Sequence, residues 1–224
     1  MTRVITVRRD VAAQAKEQAE DFRREMTRRG TLVVNLLSSP GAGKTSLLAA
    51  TAVRWSDKQR MAVLVGDIAT DRDAQRLAPL APTVQLTTGG ACHLDLSLVQ
   101  RGLEALPTGN LDFLFIENVG NLVCPSSHDL GEHVRVVVLS TTEGDDKPAK
   151  YPKAFRTSRA MVISKIDLLP YFPFSIKSAS DDALSIQPQL EILPLSALHA
   201  TGIDRWCDYL VELRARLPQL CPTR

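Results

Sequence analysis

Three groups of residues in this chain have types and spacings that could do chemistry. The first is Gly41-Ala42-Gly43-Lys44-Thr45-Ser46, which closes the stretch LVVNLLSSPGAGKTSLL. It fits the phosphate-binding pattern G-x-x-x-x-G-K-[ST] in all but the first position, where Ser38 replaces Gly. Small residues let consecutive backbone N–H groups curl around phosphate oxygens, and a following helix N-terminus adds a favourable dipole. Lys44 can reach β- and γ-phosphates, and the Thr45 hydroxyl can ligate Mg²⁺. With apolar runs on both sides, the pattern predicts nucleoside triphosphate binding rather than a tight turn carrying a chance Lys-Thr.

The second group lies at the ends of later apolar runs. Asp67 ends MAVLVGD and Glu117 ends LDFLFIE, and both are expected to point toward the phosphate loop. A carboxylate there can hold Mg²⁺ or position the attacking water. Lys44, Asp67 and Glu117 are therefore the candidate catalytic residues, with Thr45, Asp67 and Glu117 as Mg²⁺ ligands. Asp71 and Asp73 share the loop after Asp67 and are alternatives to it. Glu117-Asn118-Val119-Gly120 stands where GTPases place D-x-x-G, so the Gly120 N–H could sense a γ-phosphate. No Gln follows Gly120 to orient water, and slow hydrolysis is expected.

The base is read from Ser164-Lys165-Ile166-Asp167, which resembles the guanine motif N-K-x-D with Ser in place of Asn. A carboxylate at Asp167 would accept from guanine N1–H and N2–H, donors that adenine lacks. A site built around that pairing discriminates strongly. Ser196-Ala197-Leu198 resembles the companion loop whose backbone N–H approaches guanine O6. The shorter Ser164 predicts a weaker guanine preference.

The third group is Cys92-His93 and Cys124, two thiols and an imidazole expected at neighbouring strand ends. Such ligands suit Zn²⁺ or Ni²⁺. Three ligands per chain are too few for a closed site, so water or a second chain would complete it. Spacing alone leaves open the alternative of ordinary buried thiols beside a helix-start histidine. Cys207 and Cys221 read as helix packing and tail, and His128, His133 and His199 as polar loop residues, with His128 near enough to Cys124 to note.

The elements that must position these groups are short apolar runs alternating with helical patterns. Strands are expected at the start of the stretch Leu32–Leu48, whose remainder reads as a Gly-rich turn and the first turns of a helix, and at Met61–Asp67, Val84–Thr88, Leu111–Glu117, Val134–Ser140, Ala160–Ser164 and Glu191–Ser196. This alternation implies a mostly parallel sheet covered by helices on both faces, with ligands at the carboxyl ends of the strands. A helix is expected over 10–29, capped by Asp10, burying Val11, Ala15, Ala19, Phe22 and Met26, and ended by Gly30. The expected organisation is an N-terminal helical extension, 1–30, and one nucleotide-binding domain, 31–224.

A chain of 224 residues with net charge +2 and scattered basic residues carries no nucleic-acid footprint. The cluster Arg23, Arg24, Arg28 and Arg29 is interleaved with acids and reads as a solvated face. No apolar run approaches the ~20 residues of a membrane span. The start has no apolar leader, and four cysteines beside a phosphate loop fit a reducing cytoplasm.

Several segments together resemble the nickel-insertion GTPases of hydrogenase maturation, the HypB family: SSPGAGKTSLL, GDIATDRDAQRL, TTGGACHLD, LFIENVGNLVCPSSHDLGE, LSTTEGDDKPAKYP, SKIDLLPYF and LSALHATGIDRW. They span most of residues 31–210, and CHLD with ENVGNLVCP is the most specific pair. The resemblance implies a G-domain of the SIMIBI type that binds GTP/GDP and dimerises with GTP. It also implies a Ni²⁺/Zn²⁺ site at the dimer interface built from Cys92, His93 and Cys124. Metal would pass to a hydrogenase large-subunit precursor with help from a second, HypA-like nickel chaperone. The Cys-rich and His-rich N-terminal nickel motifs of some members are absent from these residues. Metallochaperone GTPases serving urease or a cobalamin enzyme, and a P-loop small-molecule kinase, are the alternatives.

Overall fold

The computed structural model describes residues 7–220 apart from 69 and 108, with side chains from Ala13 onward. Seven strands, all parallel, form one sheet in the order β3-β2-β4-β1-β5-β6-β7. They are β1 (Leu32–Ser38), β2 (Met61–Asp67), β3 (Thr83–Thr87), β4 (Phe113–Glu117), β5 (Val134–Ser140), β6 (Ala160–Ser164) and β7 (Glu191–Pro194). The helices are α1 (Val7–Arg28), α2 (Lys44–Trp55), α3 (Arg72–Leu77), α4 (Leu96–Ala105), α5 (Lys147–Lys150), α6 (Pro152–Arg156), α7 (Ile176–Ile186), α8 (Ile203–Ala215) and α9 (Leu217–Leu220).

The strands are apolar on both sides because both faces are covered. Along β1, Leu32, Val34 and Leu36 face one cluster with Leu47 and Leu48 of α2 and Trp206 and Leu210 of α8. The Trp206 indole N–H donates to Thr51 of α2, which fixes α8 against α2. On the opposite face Val33 packs with Phe22 and Met26 of α1 and Val99 of α4, and Leu37 packs with Phe155 of α6 and Ala179 and Ala183 of α7. Between those two clusters lies Asn35, fully buried. The chain runs from β1 outward to β2 and β3, returns to β4, then crosses to β5 on the other side of β1. That reversal opens a crevice at the carboxyl end of β1, where such sheets bind ligands.

α1 differs from the sequence expectation in two respects. It begins at Val7, so Asp10 lies within the helix and does not cap it. Ala15 is exposed, and among residues 13–28 the contact face narrows to Ala19, Phe22 and Met26; the side chain of Val11 lies outside the described residues. The helix does end at Gly30: the N–H groups of Gly30 and Thr31 bond back to the carbonyls of Thr27 and Met26. Arg23 leaves the solvated face and ties α1 to the segment before β5, donating to the Glu132 carbonyl at 2.9 Å and the Asp129 carboxylate at 2.6 Å. Arg24, Arg28 and Arg29 pair along the helix surface with Asp21 and Glu25. The strands follow the apolar runs within two residues, the widest differences being β4, which starts at Phe113, and β7, which ends at Pro194, whereas α7 follows no run that the sequence marked. Pro218 falls in α9, and Cys221 lies outside the described residues. Among the described residues no helix is long and apolar enough to cross a membrane.

Candidate nucleotide cleft and thiol rim

The turn from β1 to α2 presents an uncapped helix start. Gly43 takes φ +95°, a left-handed conformation favouring glycine, and neither a side-chain cap nor an acidic residue occupies the first turn of α2. The first N–H groups of α2 therefore stand open to an anion. Lys44, buried, donates from Nζ to the Ser38 hydroxyl at 2.8 Å. The residue that departs from the phosphate-loop pattern thus holds the loop lysine.

The Thr45 hydroxyl donates to Oε1 of Glu117 at 2.7 Å, while Glu117 Oε2 is buried without a partner. Burial raises the Glu117 carboxyl to about 7, against the opposing pull of Lys44. Burial likewise pushes the Lys44 ammonium down. A cleft of about 450 Å³ joins this pair to Asp67, Asp73, Arg76, Gly120 and Lys165. The Asp67 carboxylate also accepts from the Thr70 N–H at 2.9 Å. Asp71 does not line the cleft; it accepts from Gln75. An orphaned carboxylate oxygen beside a hydroxyl, facing further carboxylates, is a donor set that fits a hard divalent cation such as Mg²⁺. Gly120 closes against the phosphate loop: a Cβ there would sit 3.0 Å from Pro40 Cα.

A larger cavity, about 890 Å³, continues past Gly43 and Ser46 between α2 and the ends of β6 and β7. Its walls include Ala49, Val53, Leu168, Ala197 and Leu198, and its polar lining includes Lys165 and Asp167. Ser164 is buried and donates to the Ala42 carbonyl at 2.6 Å. Lys165 sits in the left-handed region at φ +59°, its carbonyl held by Thr141, and reaches the Gly41 carbonyl at 2.7 Å. The turn after β6 is thereby fastened to the phosphate loop at two points. Ser196 does not line the cavity; its N–H bonds to the Thr201 carbonyl and its hydroxyl accepts from His199.

The thiols meet outside the cleft. The neighbouring Cys124 thiol, and then burial, hold the Cys92 thiol above the usual thiol range. Cys92 Sγ lies 3.8 Å from His93 Nδ1. The His128 ring stacks on His93 with centroids 3.7 Å apart, and its Nδ1–H donates to the Cys124 carbonyl at 2.9 Å. Burial, and then His128, push the His93 imidazole down. Among the described residues no three His, Cys, Asp or Glu side chains form a ready-made metal site within one chain. Sequence reasoning left His128 as a loop residue. It did not find the stack, which depends on two loops meeting in space. His133 does lie in the bend before β5, and it is also an anchor: its Nδ1 accepts from the Val33 N–H at 3.0 Å, and its Nε2 lies 2.9 Å from the Thr27 hydroxyl.

The family profile described as the CobW/HypB/UreG nucleotide-binding domain matches residues 32–194. The hydrogenase maturation factor HypB of Escherichia coli K12 is 44% identical over 213 residues, covering 95% of this chain and 73% of that protein. This chain belongs to the HypB family of hydrogenase maturation factors. The HypB of Rhizobium leguminosarum bv. viciae is 41% identical over 96% of the chain and 72% of its own length. Among solved HypB structures, that of Helicobacter pylori in complex with nickel superposes with a TM-score of 0.86 at 36% identity, covering 91% of this chain and 96% of that one. That of Archaeoglobus fulgidus gives 0.83 at 33%, covering 90% and 99%. The LAO/AO transport system kinase, at 16% identity and a TM-score of 0.57, shares the fold alone. The chain is thus a P-loop GTPase of the HypB type, an α/β fold whose sheet order and cleft are those described above.

Proposed function

We propose that this chain is a GTP-hydrolysing metallochaperone whose nucleotide state controls nickel or zinc binding at a site shared by two copies. In this reading it assists nickel insertion into a [NiFe]-hydrogenase precursor in the cytoplasm, with a second nickel chaperone. The observation that carries it is one loop. It starts after Glu117, in the nucleotide cleft, donates from the Asn121 amide to the Cys92 carbonyl at 3.4 Å, and ends at Cys124, whose thiol neighbours that of Cys92.

Gly41, Ala42, Gly43 and Ser46 offer backbone N–H groups to the phosphates, and Lys44 moves from Ser38 to the β/γ-phosphates. Mg²⁺ held by Thr45, Asp67 and Glu117 would supply charge neutralisation at those phosphates. Glu117 and Asp67 orient the attacking water, and the absence of a Gln after Gly120 keeps the reaction slow. Asp167 and Lys165 read guanine, with Ala197 along the cavity wall. Ser164 spends its one proton on Ala42, so it steadies the phosphate loop rather than the base. At the rim, Cys92, His93 and Cys124 give three soft or borderline donors per copy. A second copy related by two-fold symmetry would complete the set. The HypB of Helicobacter pylori, whose crystal structure is a nickel complex, supports nickel as cargo.

The test is titration of the purified protein with Ni²⁺ and Zn²⁺ in the presence of GDP or a non-hydrolysable GTP analogue, with oligomer size followed in parallel. Linkage makes the effect reciprocal, typically ~1–3 kcal/mol. Metal affinity should differ between the two nucleotide states, and the GTP analogue should produce a dimer. Cys124→Ala should abolish the metal response while leaving nucleotide binding intact. Metal binding indifferent to nucleotide would reduce the chain to a GTPase with an unrelated thiol pair.

A further inference from the structure

β1 carries one polar side chain within its apolar run, Asn35, and its amide is engaged in two directions. Its Oδ1 accepts from Asn118 Nδ2 at 3.2 Å, and its Nδ2 donates to Glu132 Oε1 at 3.2 Å. Asn118, nearly fully buried, directly follows Glu117. Its backbone N–H donates to the Leu36 carbonyl and its Oδ1 accepts from the Val119 N–H. The other direction leads to a buried ion pair. Glu132 accepts from Arg135 Nε at 2.7 Å through Oε1 and from the Leu130 N–H at 2.8 Å through Oε2. Arg135 then donates to the Ser126 carbonyl at 3.1 Å and the His128 carbonyl at 2.7 Å. Those carbonyls belong to the turn that follows Cys124.

We infer that Asn35 is a positioning residue shared by the two sites: through Asn118 it sets the start of the 118–124 loop, and through Glu132 and Arg135 it holds the turn beyond Cys124. The loop itself is tied mainly by short-range bonds, with one amide reaching the Cys92 carbonyl, and Val123 beside Cys124 is 59% exposed. The route beneath it consists of buried side chains with their hydrogen bonds made. Taking a carboxylate and a guanidinium out of water is costly, and well-packed apolar residues often serve stability as well or better. A fully satisfied buried network instead fixes one arrangement of the backbone it ties together. Each link from Asn118 to Asn35 and from Asn35 to Glu132 is a single hydrogen bond. A displacement of Asn118 when the cleft fills must therefore be met by Asn35, and Asn35 cannot turn without leaving Glu132.

This inference rests on the proposed coupling between nucleotide and thiols, but one of its readouts needs no metal. The alkylation rate of Cys124, followed on its own peptide by mass spectrometry, is compared in GDP and in a GTP analogue for the native chain and for Asn35→Leu. Metal titrations are run alongside. The native chain should show a nucleotide-dependent rate, at least fivefold between states. In Asn35→Leu the ratio should fall to about one, with nucleotide affinity within threefold of native. If Asn35→Leu does not fold, as judged by thermal unfolding, Asn118→Ala removes the same link without altering β1, together with the bond from the Val119 N–H. A folded variant that keeps the native ratio overturns the inference. A native alkylation rate that responds to nucleotide while metal affinity does not would refute the metal-gating function and leave Asn35 in its role. A native rate indifferent to nucleotide overturns the role of Asn35 itself.

Discussion

Gly120 is the residue on which the cleft closes, and its significance is spatial. An added methyl would stand 3.0 Å from Pro40 Cα and 3.1 Å from Pro40 N, both backbone atoms that cannot rotate away. Gly120→Ala must therefore push the phosphate loop by a few tenths of an ångström or retract the 118–124 loop. Either displacement alters the N–H groups facing the nucleotide, and affinity for a fluorescent GTP analogue should fall about tenfold, on the order of 1.4 kcal/mol. Unchanged affinity would mean that the two loops are not in mechanical contact. Lys44, Thr45 and Glu117, which line the same cleft, were legible in the sequence. Phosphate and cation chemistry demands particular residue types at fixed local spacing. The hydroxyl of Ser38 receiving Lys44, the two bonds from Ser164 and Lys165 to the phosphate loop, and the His93–His128 stack were not legible. The first depends on a side chain replacing the pattern's glycine, and the others join segments distant along the chain through contacts that no local pattern encodes.

At the level of elements, the junction of α1 with the sheet contains a titratable pin. His133 accepts from the Val33 N–H, so its imidazole must be neutral, and burial pushes it down to about 4. An unfolded histidine titrates near 6.5. Between those values the unfolded chain binds a proton that the folded one does not, so stability falls as pH falls through that window. The contribution is fully present above about pH 7, and roughly 2 kcal/mol of it should be gone by pH 5. Denaturant unfolding at pH 7.5 and 5.0 checks this, since His133→Ala should be less stable at the higher pH and lose less on acidification. A parallel loss in both proteins would move the effect elsewhere. Strands were read well because an apolar run buried on two faces has few alternatives. α7 was not read: its buried face consists of Ala179 and Ala183, too small and too few to mark a helical period against a polar background. α1 was anticipated as a helix, yet its contact face proved shorter than its periodicity implied.

On the scale of the whole molecule, strand order brings nucleotide, base and thiol features to one rim. β1 delivers the phosphate loop, β2 and β4 the carboxylates, β6 and β7 the loops proposed to read the base, and β3 the approach to Cys92. The sequence pattern specified a parallel sheet and its carboxyl-end rim, because alternating strands and helices admit little else. It did not specify which strands would be neighbours, and that order decides that Asn35 lies between Asn118 and Glu132. The same order has a consequence for biosynthesis. β1 is made early, but Leu32 pairs with Phe113 of β4 and Val34 with Val134 of β5. At ~5–20 residues per second, the apolar strand that carries the phosphate loop waits on the order of 5–20 s on the ribosome before both neighbours are complete. Protease protection of β1 in stalled nascent chains should therefore appear only after β5 has left the exit tunnel. Until then a strand buried along its whole length in the finished protein stands exposed, and a chaperone that shields apolar segments has its longest task there.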